Sequence, residues 1–308
     1  MRKFLPFLFA AALASSCIDN AYDLSNVNTD DVTIGDEDSE YRLPLATVYV
    51  SMSELNEGGA DIKTLFDEAD IWLPSPLPGN AAYVDLRELQ NTPETITPLL
   101  DALIDQMMDD DAKLTAVADL LAEKYLSTFL PLLPPNTDPA DFKPVFIEAF
   151  RNMPMLHDRL SGEVKSLAGS YLTELKVQDV TYDIGKIDIG GDVVDMLCEN
   201  LDSEGTPNPK NTLHLYGSIT SALPVSLRLV PYFSPTNVRF DVTVEPGKTN
   251  EIRETQLFES DLRQIIEGAE IILPVSLEKY YPGYDFTSDQ QIVITLRLIK
   301  RGGLKLNL

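Results

Sequence analysis

The sequence is poor in the residue types that build metal sites and activated nucleophiles. Its 308 residues include two cysteines, two histidines and one tryptophan. They contain no Cys-x-x-Cys, His-Glu-x-x-His or Gly-x-Ser-x-Gly motif and no glycine-rich phosphate-binding loop. These absences argue against the usual zinc enzymes, serine hydrolases and nucleotide-binding enzymes. The sequence therefore predicts a protein that is not an enzyme and that holds no cofactor and no metal.

Basic residues are scarce as well. The chain has 24 Lys and Arg residues against 49 Asp and Glu residues, which gives a formal net charge of −25 at pH 7. A surface with this charge repels the phosphates of nucleic acids and the headgroups of anionic lipids. We therefore expect no nucleic acid as a partner, and we expect membrane contact through an attached lipid instead of through basic side chains.

The N-terminus has the features of a secretory signal peptide. Two basic residues precede an apolar run over residues 4–14, which is shorter than the ~20 residues that a transmembrane helix needs. Ser16 and Cys17 end a sequence that resembles a lipobox, with Ala14 where a strict lipobox has leucine. The sequence predicts a signal peptide over residues 1–16, cleavage between Ser16 and Cys17, and lipidation of Cys17. The alternative is an ordinary signal peptide with Cys17 as an incidental thiol.

The segment after the cysteine is predicted to be a tether. Residues 18–41 carry eight acidic side chains and no basic one. Such a segment repels itself and buries little apolar surface. We expect residues 17–42 to be extended and solvated, and the folded part to begin near Leu43.

The same segment carries a family resemblance. It reads Cys-Ile-Asp-Asn-Ala-Tyr-Asp-Leu-Ser from Cys17 onward, which is similar to the start of uncharacterised secreted lipoproteins of Bacteroidota. In that group, acidic residues soon after the cysteine resemble a signal for display on the outer face of the outer membrane, and Asp19 and Asp23 match it in part. The resemblance implies a surface-exposed outer-membrane lipoprotein of the cell envelope, without implying an activity.

The apolar pattern changes from a helical period to a strand period near residue 174. Residues 95–173 carry apolar side chains at i, i+3, i+4 and i+7 in successive segments, which predicts about four helices. A strand over residues 43–50 precedes them, and because both of its faces are partly apolar we expect it to be covered on both sides. Alternating apolar residues later in the chain predict at least six strands, one of them over residues 271–277, interrupted by a helix near residues 260–268. The sequence therefore predicts an α+β fold, in which an N-terminal strand and a helical region together occupy residues 43–173 and a mainly antiparallel β-sandwich occupies residues 174–308.

Two groups of side chains are candidates for metal or ligand binding. Asp101, Asp105 and Asp109 recur every four residues along a predicted helix, and clustered carboxylates can collect calcium. A solvated helix face is the simpler interpretation, because calcium prefers a loop that wraps the ion. Trp72 with Tyr83 is a candidate aromatic ligand patch, and burial of Trp72 against the helices is the alternative.

The remaining thiol and the two histidines have structural interpretations. Cys198 lies in an apolar segment of helical spacing, which predicts a buried structural cysteine. His157 is predicted to be a surface or capping residue at the start of a helix. His214 is predicted to face solvent from a strand.

Three functions from different classes fit these observations. The first is a non-catalytic envelope lipoprotein with a structural role or a role in contacting other envelope proteins. The second is a lipid-binding module, in which apolar helices beside a sheet enclose an acyl chain. The third is a glycan-binding or hydrolytic surface protein, whose carboxylates are dispersed in the sequence.

Overall fold

The first described strand lies well after the predicted lipidation site. The computed structural model describes residues 32–51, 62–177, 179–236 and 238–306. The predicted signal peptide, Ser16, Cys17 and the first part of the predicted tether lie outside these residues.

Helices occupy most of the chain between residues 62 and 174. They are α1 (Ile62–Trp72), α2 (Leu86–Asn91), α3 (Thr97–Asp109), α4 (Asp111–Lys124), α5 (Leu126–Phe129), α6 (Phe142–Asn152) and α7 (Pro154–Glu174). Two further helices, α8 (Gly191–Cys198) and α9 (Glu259–Gly268), lie among the strands. The four helices predicted from periodicity correspond to α3, α4, α6 and α7, and the predicted helix among the strands corresponds to α9.

Side chains at the helix ends explain how two of these helices are placed. Asp110 separates α3 from α4, and its carboxylate accepts a hydrogen bond from the amide of Ala112 (2.8 Å), which caps α4. The buried Lys113 of α4 donates from Nζ to the main-chain oxygens of Asp70 (2.9 Å) and Leu73 (2.6 Å). A helix end leaves such carbonyls without intrahelical partners. A side chain of α4 therefore completes the end of α1.

The strands form four groups. They are β1 (Val32–Ile34), β2 (Glu40–Ser51), β3 (Val84–Asp85), β4 (Val180–Asp183), β5 (Thr212–Ser221), β6 (Val225–Leu229), β7 (Tyr232–Ser234), β8 (Val242–Val244), β9 (Thr249–Leu257), β10 (Glu270–Leu273), β11 (Val275–Tyr280), β12 (Gln291–Arg301) and β13 (Leu304–Leu306). The sheet orders are β2-β12-β5-β9, β3-β11-β6-β8 and β4-β10-β7, and β1 pairs with β13. These neighbouring strands are antiparallel. The predicted α+β fold with mainly antiparallel, sandwich-like sheets is confirmed.

The helices and the sheets share one core. The buried apolar residues form one contiguous cluster, with members from the long helices and from both four-stranded sheets. Phe66 of α1 lies at the junction, with its ring centroid 4.6 Å from that of Tyr280 on β11 and 4.8 Å from that of Phe286. All three side chains are buried. Apolar packing therefore attaches the helical region directly to the sheets.

The structure corrects the predicted environment of β2. The prediction that this strand is covered on both faces is wrong, because Tyr49 is 54% exposed. The register of β2 against β12 skips Leu45, which forms a bulge. A bulge reverses the alternation, so that Leu45 and Val48 are both buried although they are three residues apart. Apolar residues at odd and even positions of β2 therefore lie on the same, buried face of the sheet.

The structure also shortens the predicted tether. Residues 32–42 were assigned to it, but β1 pairs with β13 and β2 begins at Glu40. The hydroxyl of Tyr41 donates to the carbonyl of Ile34 (2.8 Å), which closes the turn between the two strands. The acidic residues at this turn are exposed to solvent and do not interfere with the strand pairing. An acidic composition is therefore compatible with strands here, although it led to the prediction of an extended tether.

Other differences concern strands with weak or interrupted patterns. The single strand predicted over residues 271–277 is two strands, β10 and β11, which belong to different sheets and are separated at Pro274. Proline has no amide hydrogen to continue a ladder. The edge strand β9 was not predicted, because within it only Ile252 and Leu257 are buried and the rest is polar.

Removal of the Phe66 ring should destabilise the whole fold. Phe66→Ala leaves a cavity at the junction of helices and sheets, and such substitutions cost about 3–5 kcal/mol. We expect a loss of this size in the free energy of urea unfolding. Tyr49→Ala is the control, and its exposed site predicts a change within about 0.5 kcal/mol. A loss below about 1 kcal/mol for Phe66→Ala would contradict the shared core.

Candidate functional site

The acidic residues proposed for metal binding lie on a solvated helix face. Asp101, Asp105 and Asp109 are exposed along α3, and Asp101 accepts from Nζ of Lys165 (2.5 Å). Within the part of the chain that the structure describes, no group of three or more His, Cys, Asp or Glu side chains is placed to hold a metal ion. No helix in the same ranges is long and apolar enough to cross a membrane.

Trp72 and Tyr83 do not form a common patch. Trp72 is fully buried at the end of α1, and its indole NH donates to Oε1 of Glu68 (3.3 Å). Glu68 also accepts from Nζ of Lys124 (2.5 Å) and from the hydroxyl of Tyr125 (2.6 Å). Burial raises the pKa of the Tyr125 hydroxyl, and its hydrogen bond to Glu68 adds to the shift. Trp72 thus belongs to a buried polar network between α1 and α4, whereas Tyr83 lies on the surface.

The thiol that the structure describes is not a reactive one. Cys198 is buried at the end of α8, which confirms the prediction of a structural cysteine. Burial raises the pKa of its thiol to about 11, so that the thiol carries its proton at neutral pH. The thiolate is the nucleophilic form of cysteine. Cys198 therefore contributes packing.

The two histidines also have structural positions. Nδ1 of His157 is 2.7 Å from the carbonyl oxygen of Phe150, so this nitrogen donates to the end of α6. His157 lies near the start of α7, as predicted, but the helix end that it caps is that of the preceding helix. His214 is half-buried, and its Nδ1 lies 3.3 Å from Nη1 of Arg301, which is paired with Glu254. Burial lowers the pKa of His214, and the charge of Arg301 lowers it further.

Three tyrosines form an aromatic surface beside the helix–sheet junction, in which Tyr83 and Tyr284 are exposed and Tyr281 is half-buried. Tyr83 precedes β3, and Tyr281 and Tyr284 follow β11. Tyr280 pairs with Val84 in antiparallel register, and the next step of that register places Tyr281 opposite Tyr83. The ring centroids of Tyr83 and Tyr281 are 5.6 Å apart. We refer to Tyr83, Tyr281 and Tyr284 as the tyrosine surface.

A pocket of about 500 Å³ lies on the sheet side of the tyrosine surface. The loops β5–β6, β8–β9 and β11–β12 enclose it, and we name it the loop pocket. Its lining includes Glu245, Lys248, Tyr281, Tyr284 and Gln290. The pocket opens to solvent and joins polar groups to two aromatic rings, which is the usual make-up of a small-ligand site.

A second pocket of about 480 Å³ lies on the helix side. We name it the helix pocket. Tyr83 lines it together with Leu77, Asp85, Leu89 and Pro98. Because Tyr83 contacts Tyr281, the two pockets adjoin across this tyrosine pair.

Main-chain hydrogen bonds hold the loops of the loop pocket in place. The amide of Gly247 donates to the carbonyl of Ser221 (2.8 Å), which ties the β8–β9 loop to the end of β5. The amide of Tyr281 donates to the carbonyl of Pro224 (3.3 Å), which ties the β11–β12 loop to the β5–β6 loop. The pocket is therefore preformed, and ligand binding does not have to order these loops.

The loop pocket is lined by two acidic side chains, Glu245 and Asp285, and one basic side chain, Lys248. Glu245 forms an ion pair with Lys248, and the hydrogen bond from Lys248 lowers the pKa of the Glu245 carboxyl. Nζ of Lys279 lies 4.7 Å from the centroid of the Tyr83 ring, a cation–π contact at the boundary of the two pockets. Glu245 is consequently ionised at neutral pH and already partnered.

Tyr281 and Tyr284 were not identified from the sequence. The segment reads Tyr-Tyr-Pro-Gly-Tyr over residues 280–284, where Pro and Gly indicate a turn. Tyrosines on both sides of a turn after a strand were the feature of the sequence that could have indicated this surface. The partnership with Tyr83 depends on a strand pair between distant parts of the chain, which the sequence did not reveal.

Comparisons with known proteins give one distant structural similarity. No protein-family model and no curated protein matches the sequence. A crystal structure of a presumed secreted protein from Parabacteroides distasonis is similar over 41% of this chain and 38% of that chain, with 18% sequence identity and a TM-score of 0.30. At this level of similarity, neither the fold nor a function of that protein is transferred to this chain.

Buried Lys300 predicts a pH dependence of stability. Its side chain is fully buried and donates to the carbonyl of Arg301 (2.8 Å), and burial lowers its pKa to about 8. Between that value and the ordinary value of 10.5 the unfolded chain binds more protons than the native state, so stability rises with pH in this window. Lys300→Met removes this contribution. We expect the rise in unfolding free energy from pH 7.5 to 9.5 to shrink by about 2 kcal/mol.

Lys186→Met supplies the matched control for that measurement. Lys186 is an exposed lysine in an ion pair with Glu267, so its removal should leave the pH dependence of the wild type nearly unchanged. Lys113 is also buried, but it is present in the wild type and in both variants. Its contribution to the pH dependence of the unfolding free energy therefore cancels when the proteins are compared. An unaltered slope in Lys300→Met would mean that Lys300 titrates as an exposed lysine does.

Proposed function

We propose that the protein is a lipid-anchored protein of the cell envelope, whose folded part binds other molecules at the cell surface without catalysing a reaction on them. The observation that carries the binding role is the tyrosine surface with its two adjoining pockets. A preformed, concave surface with aromatic and polar groups favours binding. Its mixture of charged and aromatic groups is also compatible with contact to other envelope proteins.

The proposed anchor is a lipid on Cys17 in the outer membrane, with the folded part facing outward. The signal-like N-terminus, the lipobox-like sequence and the resemblance to Bacteroidota lipoproteins support it. Residues 18–31 would then link the lipid to β1, and they span at most about 50 Å. This linker is acidic, so repulsion by anionic headgroups favours a position of the folded part away from the bilayer.

Hydrolysis is less well supported than binding. A glycosidase needs a general acid with a raised pKa, whereas the pKa of Glu245 in the loop pocket is lowered. Burial raises the pKa of Asp70, but Asp70 lines a separate pocket of about 250 Å³, and its carboxyl accepts a hydrogen bond from Tyr280 (2.6 Å). Asp70 thus takes part in the helix–sheet junction.

A lipid-binding role is also less well supported. It requires the apolar residues of α3 to enclose an acyl chain, but Leu103 and Met107 are fully buried in the shared core. An acyl chain in the loop pocket would desolvate the ion pair of Glu245 and Lys248, which is costly. A polar ligand does not carry this cost.

The two cysteines make the anchor directly testable. We expect cells that are fed a palmitate analogue to label the protein, and Cys17→Ala to abolish the label and release the protein from the membrane fraction. Cys198→Ala is the matched control and should keep the label, because Cys198 is buried. Label that persists in Cys17→Ala would overturn the anchor.

Surface display has its own measurement. Protease added to intact cells should digest the wild-type protein while a periplasmic marker stays intact. If the protein is digested only after the outer membrane has been permeabilised, the anchor faces the periplasm and the proposed display is wrong.

A further inference from the structure

We propose that the tyrosine surface binds an uncharged glycan chain that occupies the loop pocket and the helix pocket together. This inference rests on the proposed binding function and names the chemical class of its ligand. The observation behind it is the juxtaposition of two pockets across one pair of tyrosines, whose tilted rings have centroids 5.6 Å apart.

The arrangement of the pockets favours an elongated ligand. Tyr281 lines the loop pocket, Tyr83 lines the helix pocket, and their rings are in contact. A ligand that occupies both pockets must cross this pair. A chain of repeated units fits such a path, because consecutive units meet consecutive pockets, whereas a compact metabolite fills one pocket only.

The side chains favour sugar rings. Tyrosine presents a flat ring with a negative face and a hydroxyl at its tip, so it can contact the C–H face of a sugar and also form a hydrogen bond. Tyr284 is 66% exposed and Tyr83 is 39% exposed. Large aromatic side chains exposed together on a surface indicate a binding site. The lining side chains of Gln290 and Thr95 add neutral polar groups, one in each pocket.

The charges favour a neutral glycan over an acidic one. The chain has a net charge of −25, which repels polyanions. Asp85 and Glu88 add negative charge to the helix pocket. In the loop pocket, Lys248 is already paired with Glu245 and is therefore not free to bind a carboxylate or sulfate of the ligand.

The concave shape favours a glycan over a protein partner. Specific protein interfaces bury roughly 1,600 Å² in total and are mostly flat patches. Here the exposed tyrosines border two pockets of about 500 Å³ and 480 Å³, in the range of small-ligand sites. The hydrogen-bonded loops of the loop pocket keep this shape without a partner.

Affinity electrophoresis tests the proposal. The full chain, carrying Cys17→Ser so that it is not acylated, is run on native gels that contain dextran, laminarin, galactomannan or arabinoxylan, with anionic polygalacturonate as the charge control. We expect at least one neutral polysaccharide to retard the protein and polygalacturonate not to do so. Absence of retardation by all four neutral polymers, or equal retardation by polygalacturonate, would overturn the proposal.

Variants of the tyrosines locate the site. Tyr284→Ala tests the loop pocket and Tyr83→Ala tests the helix pocket, and each should weaken binding at least about tenfold. Tyr49→Ala removes a tyrosine of similar exposure from β2 and should bind as the wild type does. Thermal unfolding of each variant verifies that it is folded. If Tyr83→Ala binds normally, the chain does not span both pockets; if Tyr49→Ala is equally impaired, the site lies elsewhere.

The result is separable from the proposed anchored role. Labelling of Cys17 and digestion on intact cells do not depend on the tyrosine surface. A protein that is labelled and displayed but does not bind any neutral polysaccharide would retain the envelope role and lose the glycan assignment. A protein that binds a glycan but carries no lipid would retain the glycan assignment and lose the proposed anchor.

Discussion

The packing of Phe66 against Tyr280 and Phe286 is the contact on which the rest of the structure depends. It joins α1 to the end of β11 and to the loop that follows. The hydroxyl of Tyr280 donates to Asp70 (2.6 Å), so the same junction has a polar contact as well. Side chains alternate along a strand. With Tyr280 fixed inward, Tyr281 faces outward, where it meets Tyr83.

The buried charges of Glu68 and Lys113 hold neighbouring helices together. Glu68 is shared by Trp72, Lys124 and Tyr125, and Lys113 completes the end of α1. Breaking such a buried pair on one side leaves an uncompensated charge, which is strongly destabilising. The network therefore fixes α1 against α4, and through Phe66 it fixes the helices against the sheets.

The sequence allowed prediction of elements better than of contacts. Helices such as α3 follow a regular apolar period, and strands such as β12 alternate, so local pattern was sufficient for the α+β fold. The local apolar pattern did not predict those features that depend on pairing between distant segments. The bulge at Leu45 depends on pairing with β12, and the polar edge strand β9 is stabilised by pairing with β5. Neither leaves a clear signal within its own segment.

The candidate site illustrates the same limit. Tyr83 was a candidate from the sequence, but its proposed partner Trp72 is buried in the network of Glu68. Its actual neighbour, Tyr281, lies almost two hundred residues later, and the register of β3 against β11 brings the two together. Solvent exposure and strand register decided the site, and both follow from tertiary structure.

A crystal structure of the protein with a neutral oligosaccharide is the most direct test of the tyrosine surface as the binding site. The ligand would be taken from the polysaccharide that binds most tightly. The account predicts sugar rings in contact with Tyr281 and Tyr284, continuing past Tyr83 into the helix pocket. An oligosaccharide bound elsewhere on the protein, with both pockets empty, would contradict it.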